Sequence, residues 1–121
     1  LTHDHENILW AARGAVGDRH YFDYPAMKEL NGGKQMLSIW KIKTAGKAEK
    51  THGGHPTQKP IELLKRIILM ACPPGGLVLD PFMGSGTTGL AAKRHGRHYI
   101  GIELNTEFCS LARERIGGDT H

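Results

Sequence analysis

Cysteine is scarce in this sequence. Cys72 and Cys109 stand far apart with no Cys-x-x-Cys pair, which excludes a disulfide framework and a zinc ribbon. No apolar run approaches the length of a membrane span, and the opening residues show no secretory pattern, so a reduced, cytoplasmic setting with no membrane partner is expected. The histidine pairs His3/His5 and His52/His55 lack a third placed ligand, so no metal site is expected. Aromatic residues make up only 7%, yet hydrophobic residues reach 39% of the 121 positions, enough for the core of one small domain.

Acidic charge is also in deficit, with 16 Lys and Arg against 12 Asp and Glu, a net +4. The excess concentrates between Lys41 and Arg66, where seven basic residues face two acidic ones. Lys41, Lys43, Lys47 and Lys50 supply the start of this patch, which suits a polyanion such as DNA as well as it suits a solvated loop.

Along the chain, residues 7–12, 20–24 and 35–43 are apolar or aromatic-rich and read as strands. Pro25 opens a short helix ending near Asn31-Gly32, and residues 44–54 read as a mobile loop. From Ile61 the period becomes helical, with Thr57 as a candidate cap and Pro60 in the first turn, until Cys72-Pro73-Pro74-Gly75 stops it. LVLD at 77–80 is a strand, TTGLAAKRHG a helix closed by Gly96, and HYIGIE at 98–103 a second strand. Asn105 caps a last helix, TEFCSLARERI, and residues 117–121 read as a frayed tail. Alternating strands and helices predict a parallel α/β unit with both sheet faces covered and ligands at the carboxyl ends of the strands.

Those ends carry Asp80 and Glu103, with Gly84-Ser85-Gly86-Thr87-Thr88-Gly89 just beyond the first. A GxGxxG match is compatible with several cofactors. A triphosphate loop needs a lysine after Gly86, and there is none. A nicotinamide dinucleotide would place its pyrophosphate beside Asp80, where like charges repel with little screening. S-adenosylmethionine has no phosphate but has an ammonium, a sulfonium and a ribose diol. Asp80 can face the ammonium, and Glu103 can accept the two ribose hydroxyls.

DPFMGSGTT at 80–88, HPTQKP at 55–60 and HYIGIE at 98–103 resemble the amino-methylating DNA methyltransferases, and more narrowly their permuted β-class. The resemblance implies an α/β fold, a partial Rossmann-like S-adenosylmethionine-dependent methyltransferase with parallel strands flanked by helices. It makes 1–121 a single partial domain, with 1–54 the strand and recognition-side segment, 55–116 the cofactor-binding unit and 117–121 the tail. It further implies that Asp80, Phe82, Gly84, Ser85, Gly86 and Thr87 line the cofactor. Glu103 would bind the ribose, with His55, Thr57 and Lys59 at the methionine end, Lys59 pairing with the carboxylate. Lys41, Lys43, Lys47 and Lys50 would contact double-stranded DNA.

The same family carries a Pro-Pro-aromatic tetrapeptide that holds the flipped target base, and this sequence has none; its one Pro-Pro, at 73–74, is followed by Gly75. No catalytic residue is therefore assigned. The chain is expected to be the C-terminal portion of a methyltransferase, inactive alone, with the N-terminal portion of the same enzyme or a second copy as partner. KQMLSIW resembles the adenine-N6 members, with cytosine N4 as the alternative. A non-catalytic DNA-binding module is the reading from another class.

Overall fold

The computed structural model describes residues 5–14, 19–50 and 58–118. Their order is α1 (Tyr24–Leu30), a 3-10 turn (Lys47–Lys50), α2 (Ile61–Ala71), β1 (Leu77–Asp80), α3 (Thr87–Arg94), β2 (His98–Gly101) and α4 (Thr106–Gly118). The two strands run parallel, Leu77 opposite His98 through Asp80 opposite Gly101. A parallel pair requires a crossover, and α3 provides it. The ladder outlasts the strands: Ile102 N donates to Asp80 O at 2.9 Å and Met83 N to Ile102 O at 3.0 Å. The loop after β1 is thereby held against the residues that precede Glu103.

Small side chains let α3 lie close to its neighbours. Ala91 and Ala92 are fully buried against Ile68 of α2, with Val78 and Tyr99 completing the cluster from the sheet. Met27 of α1 is buried too, and Asp23 N donates to Met70 O at 3.0 Å, tying the start of α1 to the end of α2. Asp23 also caps α1, its Oδ1 accepting from Ala26 N at 2.9 Å. The fold is a partial Rossmann-like α/β unit, as expected. Among the described residues no helix is long and apolar enough to cross a membrane.

Four expectations need correction. First, the segments 7–12, 20–24 and 35–43 form no strands among the described residues, apart from Tyr24, which opens α1. A strand needs a partner edge, and the sheet described has two strands, neither of which takes them up. Their apolar residues stay exposed, Leu9 at 92% and Ile39 at 78%, while Trp10 stacks on Phe22 with ring centroids 5.3 Å apart. Second, among the described residues only one sheet face is covered. Right-handed crossovers in one direction keep their helices on one side, so Leu77, Leu79 and Ile100 on the other side are 60%, 62% and 49% exposed.

Third, part of the loop expected over 44–54 is a 3-10 turn at 47–50, and it caps α2. Glu49 Oε2 accepts from Ile61 N at 3.0 Å, whereas Pro60 occupies the cap position without a side-chain bond. A carboxylate there meets the positive end of the helix dipole. Fourth, α4 continues through Gly117 and Gly118, which the sequence assigns to the tail.

Candidate cofactor site at the strand ends

β1 delivers Asp80 to the carboxyl edge of the sheet. Its Oδ1 accepts from Phe82 N at 3.0 Å, so the acid caps the turn that follows it. Phe82 projects into solvent at 89% exposure. Gly84 (φ +52) and Gly86 (φ +81) then take left-handed conformations that turn the backbone into α3. Gly86 must also be small: a Cβ there would lie 2.8 Å from Ala112 Cβ of α4.

Glu103, just past β2, joins two loops. Its Oε2 accepts from Gly84 N at 3.0 Å and its Oε1 from Asn105 N at 2.9 Å. Asn105 in turn caps α4 as expected, its Oδ1 accepting from Glu107 N and Phe108 N at 2.9 and 3.1 Å. The two acids, the glycine turn and Phe82 thus share one edge of the sheet. Beside Glu103 opens a cavity of about 550 Å³, bounded by Met83, Tyr99, Gly101, Ala112 and Ile116.

Behind the loop lies a polar cluster that the motifs do not announce. Arg115 of α4 is buried, and its Nη1 donates to Ser85 O at 2.7 Å, Ser85 Oγ at 2.9 Å and Thr87 Oγ1 at 3.2 Å. Ser85 Oγ donates onward to Gln58 Oε1 at 3.3 Å, and Gln58 Nε2 donates to Glu49 O at 2.7 Å. Burial pulls the Arg115 guanidinium below its usual range, with Glu49 opposing and Arg94 adding to the effect. Ser85 and Thr87 therefore turn inward, supporting the loop from beneath. Sequence reasoning missed Arg115 and Gln58. The available signal was spacing, because Arg115 follows Ala112 by three residues and so shares the buried stripe of α4.

Tyr99 crosses the covered face of the sheet, its hydroxyl over Gly101 and buried without a hydrogen-bond partner among the described residues. Its pKa is pushed up to about 12, by burial first and then by the charge of Asp80. A raised acid pKa leaves the contribution intact below the ordinary value near 10 and removes it as pH climbs through the folded value. Tyr99→Phe should therefore be neutral or stabilising at pH 7, within about 1 kcal/mol, because no bond is lost. It should also lose less melting temperature than the wild type between pH 10 and 12. Identical alkaline losses in both proteins would show that Tyr99 does not titrate as a buried group.

The remaining expected site residues are dispersed. His55 and Thr57 lie outside the described residues. Lys59 Nζ meets Glu6 at 2.8 Å in a pair half-exposed on the lysine side, an arrangement readily exchanged for another anion. Lys41, Lys43, Lys47 and Lys50 are all exposed, the last two on the turn that Gln58 and Glu49 tie to α2. Cys72 and Cys109 are free thiols.

A family model described as DNA methylase, N6_N4_Mtase, matches residues 1–114. The Type II methyltransferase M2.DpnII of Streptococcus pneumoniae is 52% identical over 116 residues, which is 96% of this chain and 43% of that protein. M2.MboI of Moraxella bovis is 50% identical over 115 residues, 95% of this chain and 42% of that protein. The chain thus spans less than half the length of these relatives. The crystal structure of an M1.HpyAVI-SAM complex superposes with a TM-score of 0.65 at 36% identity, over 83% of this chain and 45% of that one. The cytosine-N4-specific PvuII DNA methyltransferase shares the fold, with a TM-score of 0.53 at 24% identity over 82% of this chain and 43% of that one.

Proposed function

The chain belongs to the N6/N4 DNA methylase family, and on that premise we propose that it is the cofactor-binding portion of a DNA amino-methyltransferase. The reaction would move a methyl group from S-adenosylmethionine to an exocyclic amino group of a DNA base. Adenine N6 is the preferred target, from the KQMLSIW segment, and cytosine N4 the alternative. One observation carries the reading: two carboxylates, Asp80 and Glu103, end adjacent parallel strands around a glycine turn.

The residues present fit that cofactor. Asp80 would face its ammonium, and Glu103, with about four acceptor sites on its carboxylate, would take the ribose hydroxyls. Gly84 and Gly86 leave the backbone bare for close approach. The exposed Phe82 ring offers an apolar surface to the adenosine, and Lys59 would leave Glu6 for the cofactor's carboxylate, with His55 and Thr57 beside it. When bound, the cofactor supplies an electrophilic methyl on a sulfonium. The chain's own part is to bind, orient and hold it.

The exposed lysines 41, 43, 47 and 50 would contact DNA phosphates, which fixes register without reading sequence. The uncovered face built on Leu77, Leu79 and Ile100 would pack against the rest of a methyltransferase fold or a second copy.

Calorimetric titration of the chain with S-adenosylhomocysteine, with NADH in parallel, tests the cofactor assignment. Saturable binding of the former and none of the latter is the expected result. Tight NADH binding, or a folded chain indifferent to S-adenosylhomocysteine, overturns it. Retention on duplex DNA that falls steeply with salt is the matching expectation for the lysines.

A further inference from the structure

We propose that Arg115 is a positioning residue for the glycine loop: from α4 it holds Ser85 and Thr87 so that Gly84–Gly86 keeps the shape the cofactor requires. The proposal rests on the S-adenosylmethionine reading and adds to it a residue outside every motif. An arginine at 8% exposure has given up most of its water, a cost that must be met by partners. Among the described residues no carboxylate lies within ion-pair distance of it. Among the described residues, the oxygens its Nη1 meets all belong to the glycine loop and the first residue of α3.

That choice of partners is informative. If the position served only packing, an apolar side chain would do as well or better, since buried charges often stabilise less than hydrophobic replacements. Arg115 instead sets one charged nitrogen, Nη1, among three acceptors at once, a backbone carbonyl and two hydroxyls. The carbonyl of Ser85 lies between Gly84 and Gly86, the two left-handed glycines. These residues have no side-chain restraint of their own, so the loop conformation depends on what grips it. Glu103 grips Gly84 N from the open side and Arg115 grips Ser85 O from beneath. Through Ser85 Oγ and Gln58 the same cluster reaches Glu49, on the turn that bears Lys47 and Lys50.

The test compares wild type, Arg115→Met and Arg115→Lys at a temperature where circular dichroism shows each to be folded. Affinity for S-adenosylhomocysteine and amide hydrogen exchange at Gly84, Ser85 and Gly86 are measured on each. For Arg115→Met, at least a tenfold loss of affinity and faster exchange confined to the loop are expected. Arg115→Lys, with the charge and three donors on one nitrogen but a shorter reach, should fall between. A folded Arg115→Met that binds like wild type and exchanges no faster overturns the proposal. If Arg115→Met does not fold, the lysine variant decides: a loss of threefold or more supports positioning, and unchanged affinity sinks it. A wild type that binds no S-adenosylhomocysteine would defeat the cofactor reading instead, and loop exchange in the ligand-free variants would still judge the grip of Arg115.

Discussion

Glu103→Ala should lower the affinity for S-adenosylhomocysteine by at least about 100-fold, the largest single effect expected at the site. Two losses combine. The substitution removes the acceptor for Gly84 N and Asn105 N, and a loop no longer held in its binding shape must be ordered by the ligand. It also removes the carboxylate proposed to take the ribose hydroxyls. Two charge-assisted bonds to the ribose, at roughly 1.5–3 kcal/mol each, already reach the roughly 2.7 kcal/mol that corresponds to 100-fold. Glu103→Gln separates the two contributions, since its amide oxygen can still accept one loop amide; it should lose less than the alanine variant. Calorimetry on both variants, with folding confirmed by circular dichroism, reads the result. A folded Glu103→Ala with wild-type affinity would place the ligand elsewhere.

Gly89→Ala should destabilise the fold by about 1–3 kcal/mol, the typical cost of forcing a methyl into a contact already made. Helix propensity alone favours the opposite outcome, because alanine exceeds glycine by about 1 kcal/mol in a helix interior. Contact decides the sign. A Cβ at Gly89 would run into the ring of Tyr99 and lie 2.6 Å from Ile116 Cδ1. The far end of the ring lies over Gly101, where a Cβ would meet the Tyr99 hydroxyl. A melting temperature lower by about 4–8 °C for each kcal/mol is the expected readout. In a Tyr99→Ala background only the movable end of Ile116 remains in the way, and the same substitution should lower the melting temperature less. Equal effects in both backgrounds would show that Tyr99 is not what the alanine meets.

Much of the second half was legible because its signals are local. Asp80, the two turning glycines, the Asn105 cap and the Gly96 stop each act within a few residues of their own position. The first half was misread for a related reason. Residues 7–12 and 35–43 have the composition of strands, but a strand is completed only by a neighbour, and the two-stranded sheet takes up neither. The apolar stretch at 20–24 instead leads into α1, which opens at Tyr24 under the cap of Asp23.

By itself the sequence determined that a parallel α/β unit sets two acids and a glycine turn at one end of its strands, and it pointed to a cationic ligand there. Only the tertiary structure decided how that turn is held. Glu103 reaches Gly84 across 19 residues and Arg115 reaches Ser85 across 30. Both contacts join residues far apart in the chain: the first follows from the pairing of the strand ends, the second from α4 settling beside α3. Packing likewise left the other face bare, because it depends on which helices the crossovers bring round, while alternation along a strand says only that two faces exist.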